Sequence, residues 1–137
     1  MKRTASLLIS CLLLLMLAAC GVRETPPDDG TPEPPPHNGA FVSEYGTMTF
    51  NGDGQSISAE FTDSFAELSG LPKGKIAGSY VFLFGHGKWR YDKAEYFRII
   101  VGDKNYQFRN APGETGESAV VFYTTAESTS PIKFVKQ

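Results

Sequence analysis

The chain has 137 residues, 13 basic and 15 acidic side chains, two histidines and two cysteines. That length holds one ordinary domain. A pI near 5.7 lacks the basic face of a nucleic-acid binder, and a hydrophobic content of 41% excludes a wholly disordered chain. So few cysteines and histidines give no metal cluster and no thiol enzyme, and neither metal nor cofactor is expected.

Lys2 and Arg3 precede an apolar run from Leu7 to Leu17. The run is shorter than the roughly 20 residues that span a bilayer as a helix. A basic start, a short apolar stretch and small residues before a cut are what a secretory signal peptide requires. Leu17-Ala18-Ala19-Cys20, followed by Gly21, resembles the lipobox of bacterial lipoproteins position by position. The resemblance is confined to this leader. It implies that residues 1–19 are removed as a signal peptide and that Cys20 receives a diacylglyceryl thioether as the new N-terminus. The protein would then sit lipid-anchored on the extracytoplasmic face of a cell membrane, with the bilayer as a partner. Two long acyl chains hold a protein stably where one does not. A plain signal peptide cut near Ala19 would leave an odd free thiol in an exported protein, and an uncleaved anchor helix is disfavoured by its length.

Without residues 1–19 the chain carries 11 basic and 15 acidic groups, net −4, and its one cysteine is Cys20. The folded part therefore has no disulfide and depends on its core. Residues 20–38 comprise the lipidated cysteine and a tether, GVRETPPDDGTPEPPPHN, that holds six of the nine prolines and no aromatic residue. Such a composition buries too little apolar surface to order itself and reads as an extended acidic spacer. Residues 39–137 differ sharply, because all ten Phe, all six Tyr and the one Trp lie there. No internal repeat suggests a propeller or solenoid.

Alternation with a period of two dominates this region. Phe41–Phe50 and Gln55–Phe61 flank the hairpin signal Asn51-Gly52-Asp53-Gly54. Setting Phe50 opposite Gln55 places Met48 opposite Ile57. Ser64-Phe65-Ala66-Glu67 fits a capping box, so one helical turn is predicted before Gly70 and Pro72 end it. A second hairpin joins Ile76–Phe84 to Trp89–Lys93 through Gly85-His86-Gly87-Lys88, pairing Phe84 with Trp89 and Phe82 with Tyr91 in an aromatic ladder. The third joins Tyr96–Val101 to Tyr106–Asn110, with Val101 opposite Tyr106 and Ile99 opposite Phe108. Strands at Ser118–Thr124 and Ile132–Val135 complete the set. About seven short strands with glycine turns predict an all-β domain, a small antiparallel barrel or sandwich with one short helical turn.

Few residues invite chemistry. His86, the one histidine after residue 38, sits between two glycines at a hairpin tip, a poor frame for a catalytic imidazole. Glu44, Glu60, Asp63, Glu67, Asp92, Glu95 and Asp103 are scattered, whereas a glycosidase needs two carboxyls facing across a cleft. No catalytic role is expected. Two features point instead to binding. Trp89 and Tyr91 share a strand face that could stack on a sugar ring or a peptide, although a core-facing strand looks the same. The third hairpin's register sets Arg98 opposite Arg109, an unfavourable pair unless neutralised by an acid such as Glu60 or Glu95, or by an anionic ligand.

These features suggest a surface-displayed binding module for a small ligand or an envelope component. A protein-interaction or inhibitor domain acting on an envelope enzyme is the alternative. An apolar interior cavity would favour the first, and a long uncovered edge strand the second.

Overall fold

The computed structural model describes Pro32, residues 34–85 and residues 89–137. The leader, Cys20 and His86 lie outside the described residues. Eight strands follow one another in chain order and close on themselves as an antiparallel barrel. They are β1 (Asn38–Ser43), β2 (Gly46–Asn51), β3 (Ser56–Phe61), β4 (Gly74–Phe84), β5 (Ala94–Val101), β6 (Lys104–Asn110), β7 (Ala119–Tyr123) and β8 (Ile132–Lys136). The all-β barrel is the expected class. The run Phe41–Phe50 breaks at Glu44-Tyr45 into β1 and β2 rather than forming one long strand, which offsets the expected strand Trp89–Lys93 that does not form. Gly46 makes this break feasible, since its φ is +134° and a Cβ there would lie 2.2 Å from the Glu60 carbonyl oxygen.

Alternation sends one face of every strand inward. Phe41, Met48, Phe50, Ile57, Phe61, Tyr80, Phe82, Phe97, Ile99, Phe108, Phe122 and Phe134 form one continuous buried cluster. An eight-stranded barrel is just wide enough to be filled by side chains or to hold one small ligand. Here phenylalanines fill it: Phe122 stacks on Phe134 at 5.8 Å and 3°, and Phe82 on Phe97 at 4.9 Å. Closure also leaves no long uncovered edge among the described strands, the feature that would have favoured the interaction reading.

One end is capped by α1 (Asp63–Ser69) between β3 and β4. Its N-cap is Thr62, whose Oγ1 accepts from the Phe65 amide at 3.3 Å, so the predicted Ser64 box is displaced by two residues. Gly70 ends the helix with φ +75°. The helix inserts Phe65 between Phe61 and Phe134, at 4.8 and 6.0 Å.

Three pairings differ from expectation. Phe50 faces Ile57 and Met48 faces Ala59, because the β2–β3 loop is longer than a four-residue turn. Asp53 organises that loop, accepting from the Gln55 and Ser56 amides at 2.8 and 2.7 Å. Val101 faces Lys104, Ile99 faces Tyr106 and Phe97 faces Phe108, because Gly102-Asp103 is a two-residue turn. Trp89–Lys93 is not a strand: β4 pairs with β5, setting Phe84 opposite Ala94 and Phe82 opposite Phe97, and Tyr91–Lys93 forms a 3-10 turn.

A candidate binding groove at the barrel mouth

Four segments meet at the end opposite α1. They are the N-terminal strap Pro34–His37, the β2–β3 turn, residues 89–93 of the connection from β4 to β5, and the loop of residues 111–118 between β6 and β7. The strap falls in the stretch whose composition reads as free tether. Its last residue is nevertheless 3% exposed, and β1 starts at Asn38, so the ordered body begins before residue 39. The His37 ring lies 5.2 Å from Phe41, Phe50 and Phe82 and 4.1 Å from Tyr91. One imidazole thereby plugs the mouth above the phenylalanine column.

Two hydrogen bonds seat the strap. His37 Nε2 lies 2.8 Å from the Gly116 carbonyl oxygen, which can only accept, so Nε2 carries the proton. Nδ1 is then the lone-pair nitrogen, and it is buried with no hydrogen-bond partner among the described residues. Tyr91 donates its hydroxyl proton to the Pro35 carbonyl at 2.5 Å. Burial holds the His37 pKa below its ordinary 6.5, with the Lys136 charge adding to the effect and the Gly116 bond and Glu117 opposing it.

The loop of residues 111–118 is fixed by a buried polar network. β6 and β7 pair only at Arg109 with Tyr123 and at Asn110 with Phe122. One further backbone bond, from the Ala111 amide to the Val121 carbonyl at 2.8 Å, follows, and beyond it Thr115 replaces the missing strand. Its hydroxyl accepts from the Val121 amide at 3.0 Å and has both the Val121 carbonyl and Asn110 Oδ1 at 3.0 Å as acceptors. Asn110 Nδ2 in turn donates to the Ala94 carbonyl at 3.0 Å. The Gly113 amide donates to the Asp92 carbonyl at 2.8 Å, which ties the loop to the 3-10 turn.

Between strap and barrel lies an open groove of about 390 Å³. Pro34, Pro35 and Pro36 form one wall, Tyr80, Phe82, Phe84, Trp89 and Tyr91 the other, and Asp53 and Gly54 the rim. Trp89 is half-buried with its ring 5.3 Å from Phe84, while Tyr91 is buried beneath. Trp89 and Tyr91 both line the groove, but they share no strand face: Tyr91 belongs to the buried core, and each ring packs on Phe84. Asp53 is engaged by the turn, where the Ser56 hydroxyl and amide and the Gln55 amide lower its carboxyl pKa to about 2. The groove is thus mainly a wall of rings and prolines, suited to a ligand with a flat, weakly polar face.

Arg98 and Arg109 lie elsewhere, on the outer face of β5 and β6. They do not oppose one another: Arg98 faces Gln107 and Arg109 faces Tyr96. The like-charge clash is thereby relieved by register. Arg98 donates to Gln107 Oε1 from Nε and Nη2 at 3.1 and 2.6 Å. Arg109 lies over the Tyr123 ring at 4.2 Å and donates to the Ser128 carbonyl at 3.3 Å. The ion pairs among the described residues are Lys73–Glu67 and Arg90–Asp92, so neither Glu60 nor Glu95 is the neutralising acid. Sequence reasoning missed His37, Asn110 and Thr115, for which no periodic or motif signal exists. No protein-family model matches the chain, and no curated protein or solved structure matches it either.

Proposed function

We propose that the protein is a lipid-anchored extracytoplasmic binding module, without catalytic activity, that holds a small ligand or envelope component in the groove between Trp89 and the proline strap. Cys20, lipidated after removal of residues 1–19, supplies the anchor. The observation that carries the reading is the groove's construction. A half-exposed indole, further rings and three prolines line an open groove, and this aromatic lining, not its volume of about 390 Å³, which other surface hollows match, sets it apart. Phenylalanines fill the barrel axis, so the interior cavity that would have favoured this reading is absent among the described residues, and the reading rests on the groove at the mouth alone.

The test is native mass spectrometry of the full chain after incubation with an extract of the producing cell's envelope. A discrete adduct on the wild type that is lost in Trp89→Ala is the expected result. A clean mass for both proteins, together with unchanged Trp fluorescence, would refute the groove as a ligand site. For the anchor, Cys20→Ala is expected to move the protein from the membrane to the soluble fraction.

A second reading is favoured by one specific feature. Tyr96, Arg109 and Tyr123 occupy one row on the outer face of β5–β7, and Tyr96 is 38% exposed. Tyr and Arg are the residues most often found at interface hot spots. Arg109→Ala separates the two readings, since it should abolish capture of an envelope protein and leave a groove adduct intact.

A further inference from the structure

We propose that His37 is an acid-sensitive latch: neutral, it seats the strap Pro34–His37 on the barrel mouth, and protonated, it releases the strap and dismantles one wall of the groove. The functional sense of this gating rests on the groove being the binding site, whereas the latch itself does not.

The latch follows from the surroundings of the ring. The Gly116 carbonyl fixes the proton on Nε2, so the second proton must go to Nδ1. That atom is buried and has no acceptor among the described residues. Charged and titratable groups approach from each packed element. Lys136 on β8 opposes a positive charge, Glu117 in the 111–118 loop favours one, burial raises the pKa of the Tyr80 phenol on β4, and the Tyr91 ring of the 3-10 turn packs against the imidazole. The acidic neighbour is therefore offset by a basic one, and desolvation decides. Release is also local. The strap is held by the His37 and Tyr91 hydrogen bonds and by the ring contacts, and strand pairing begins only at Asn38.

The sign of the effect is fixed by linkage. The seated imidazole has the lower pKa, so the released state binds more protons and acid favours release. The seated state is fully favoured above about pH 6.5, the ordinary value, and is lost as pH falls towards the lower value of the seated ring. Between those limits the opening constant rises by up to about tenfold per pH unit, as one linked proton requires.

Hydrogen exchange of the full chain in detergent micelles tests this between pH 5 and 8, without ligand and after correction for intrinsic rates. Protection of the residue-37 amide, the one N–H of a strap whose other residues are prolines, is expected to fall on acidification in the wild type and in His86→Gln. It should stay flat in His37→Gln, which keeps a donor for Gly116 but cannot titrate. A flat wild-type profile, or an equal acid response in His37→Gln, overturns the latch. Should His37→Gln fail to fold, the imidazole resonance of His86→Gln decides. Titration below pH 6.5 in step with lost protection supports the latch, and titration at or above 6.5 with unchanged protection refutes it. Ligand capture is scored separately at pH 7.5, where the strap is seated, so failure of the groove and failure of the latch are distinguishable.

Discussion

Thr115→Val removes one oxygen and keeps the shape of the side chain. In a structure where Thr115 were ordinary loop packing, the change would cost almost nothing. Here the hydroxyl stands in for a strand at the point where the β6–β7 ladder stops. Its loss leaves the Val121 amide, on a fully buried residue, without its acceptor and removes the hydroxyl donor from Asn110 Oδ1, while the Val121 carbonyl keeps the Ala111 amide. An orphaned buried donor costs about 1–3 kcal/mol, and a lost neutral hydrogen bond about 1 kcal/mol. The added methyl returns less than about 0.8 kcal/mol in so tight a site. The net expectation is a loss of about 2–3 kcal/mol, or about 8–20 °C in Tm for a domain of this size. Thr115→Ser, which keeps the oxygen, should lose only about 1 kcal/mol. Urea denaturation followed by Trp fluorescence measures both variants. If Thr115→Val unfolds within about 0.5 kcal/mol of the wild type, the hydroxyl does not complete the ladder and the reasoning fails.

Further outcomes follow from single positions. Gly78→Ala should prevent folding or cost more than about 3 kcal/mol, because its Cβ would lie 2.0 Å from the Ile100 carbonyl oxygen on the paired strand. Gly70→Ala has open space within 4 Å and should lose only about 1–2 kcal/mol, the strain of a left-handed backbone at φ +75°; circular dichroism melts rank the two. The Asp53 carboxyl should titrate near pH 2 by NMR, with its small contribution to stability present above its ordinary 3.8 and lost as pH falls through about 2. A titration at the ordinary value would show that the Asx turn does not form in solution.

The faces of the strands were legible in the sequence, whereas their registers were not. Phe50, Ile57, Phe97 and Phe108 all point inward as alternation requires. Yet the hairpins β2–β3 and β5–β6 pair two residues away from the expected positions. A one-residue slip would turn every apolar side chain outward, but a slip of two leaves the pattern intact, so hydrophobicity is blind to it. The turns decide instead: an Asx turn at Asp53 lengthens one loop, and Gly102 with φ +62° shortens the other. The misplaced strand Trp89–Lys93 has a related cause. Its Trp-x-Tyr alternation is real because Arg90 is extended, but the chain then enters a 3-10 turn at Tyr91–Lys93 instead of pairing as a strand. The proline strap hid His37 because composition averages over a window. One buried ring at the edge of eighteen polar or proline-rich residues leaves that average unchanged.

The pairing of β1 with β8 also governs the order in which the molecule can assemble. Phe41 and Val42 find Lys136 and Val135, partners almost a hundred residues downstream, and the Gln137 amide donates to the Ala40 carbonyl at 2.9 Å. Neighbouring hairpins can form as soon as they are made, but the seam waits for the last residues of the chain. Until then β1 and β7 each expose an unpaired edge, the state in which a β-rich chain is most open to pairing with a neighbour. Such distant closure is slow in kinetic terms. The five-residue strand Ile132–Lys136 thus decides whether the barrel closes on itself or leaves two open edges for a neighbouring chain.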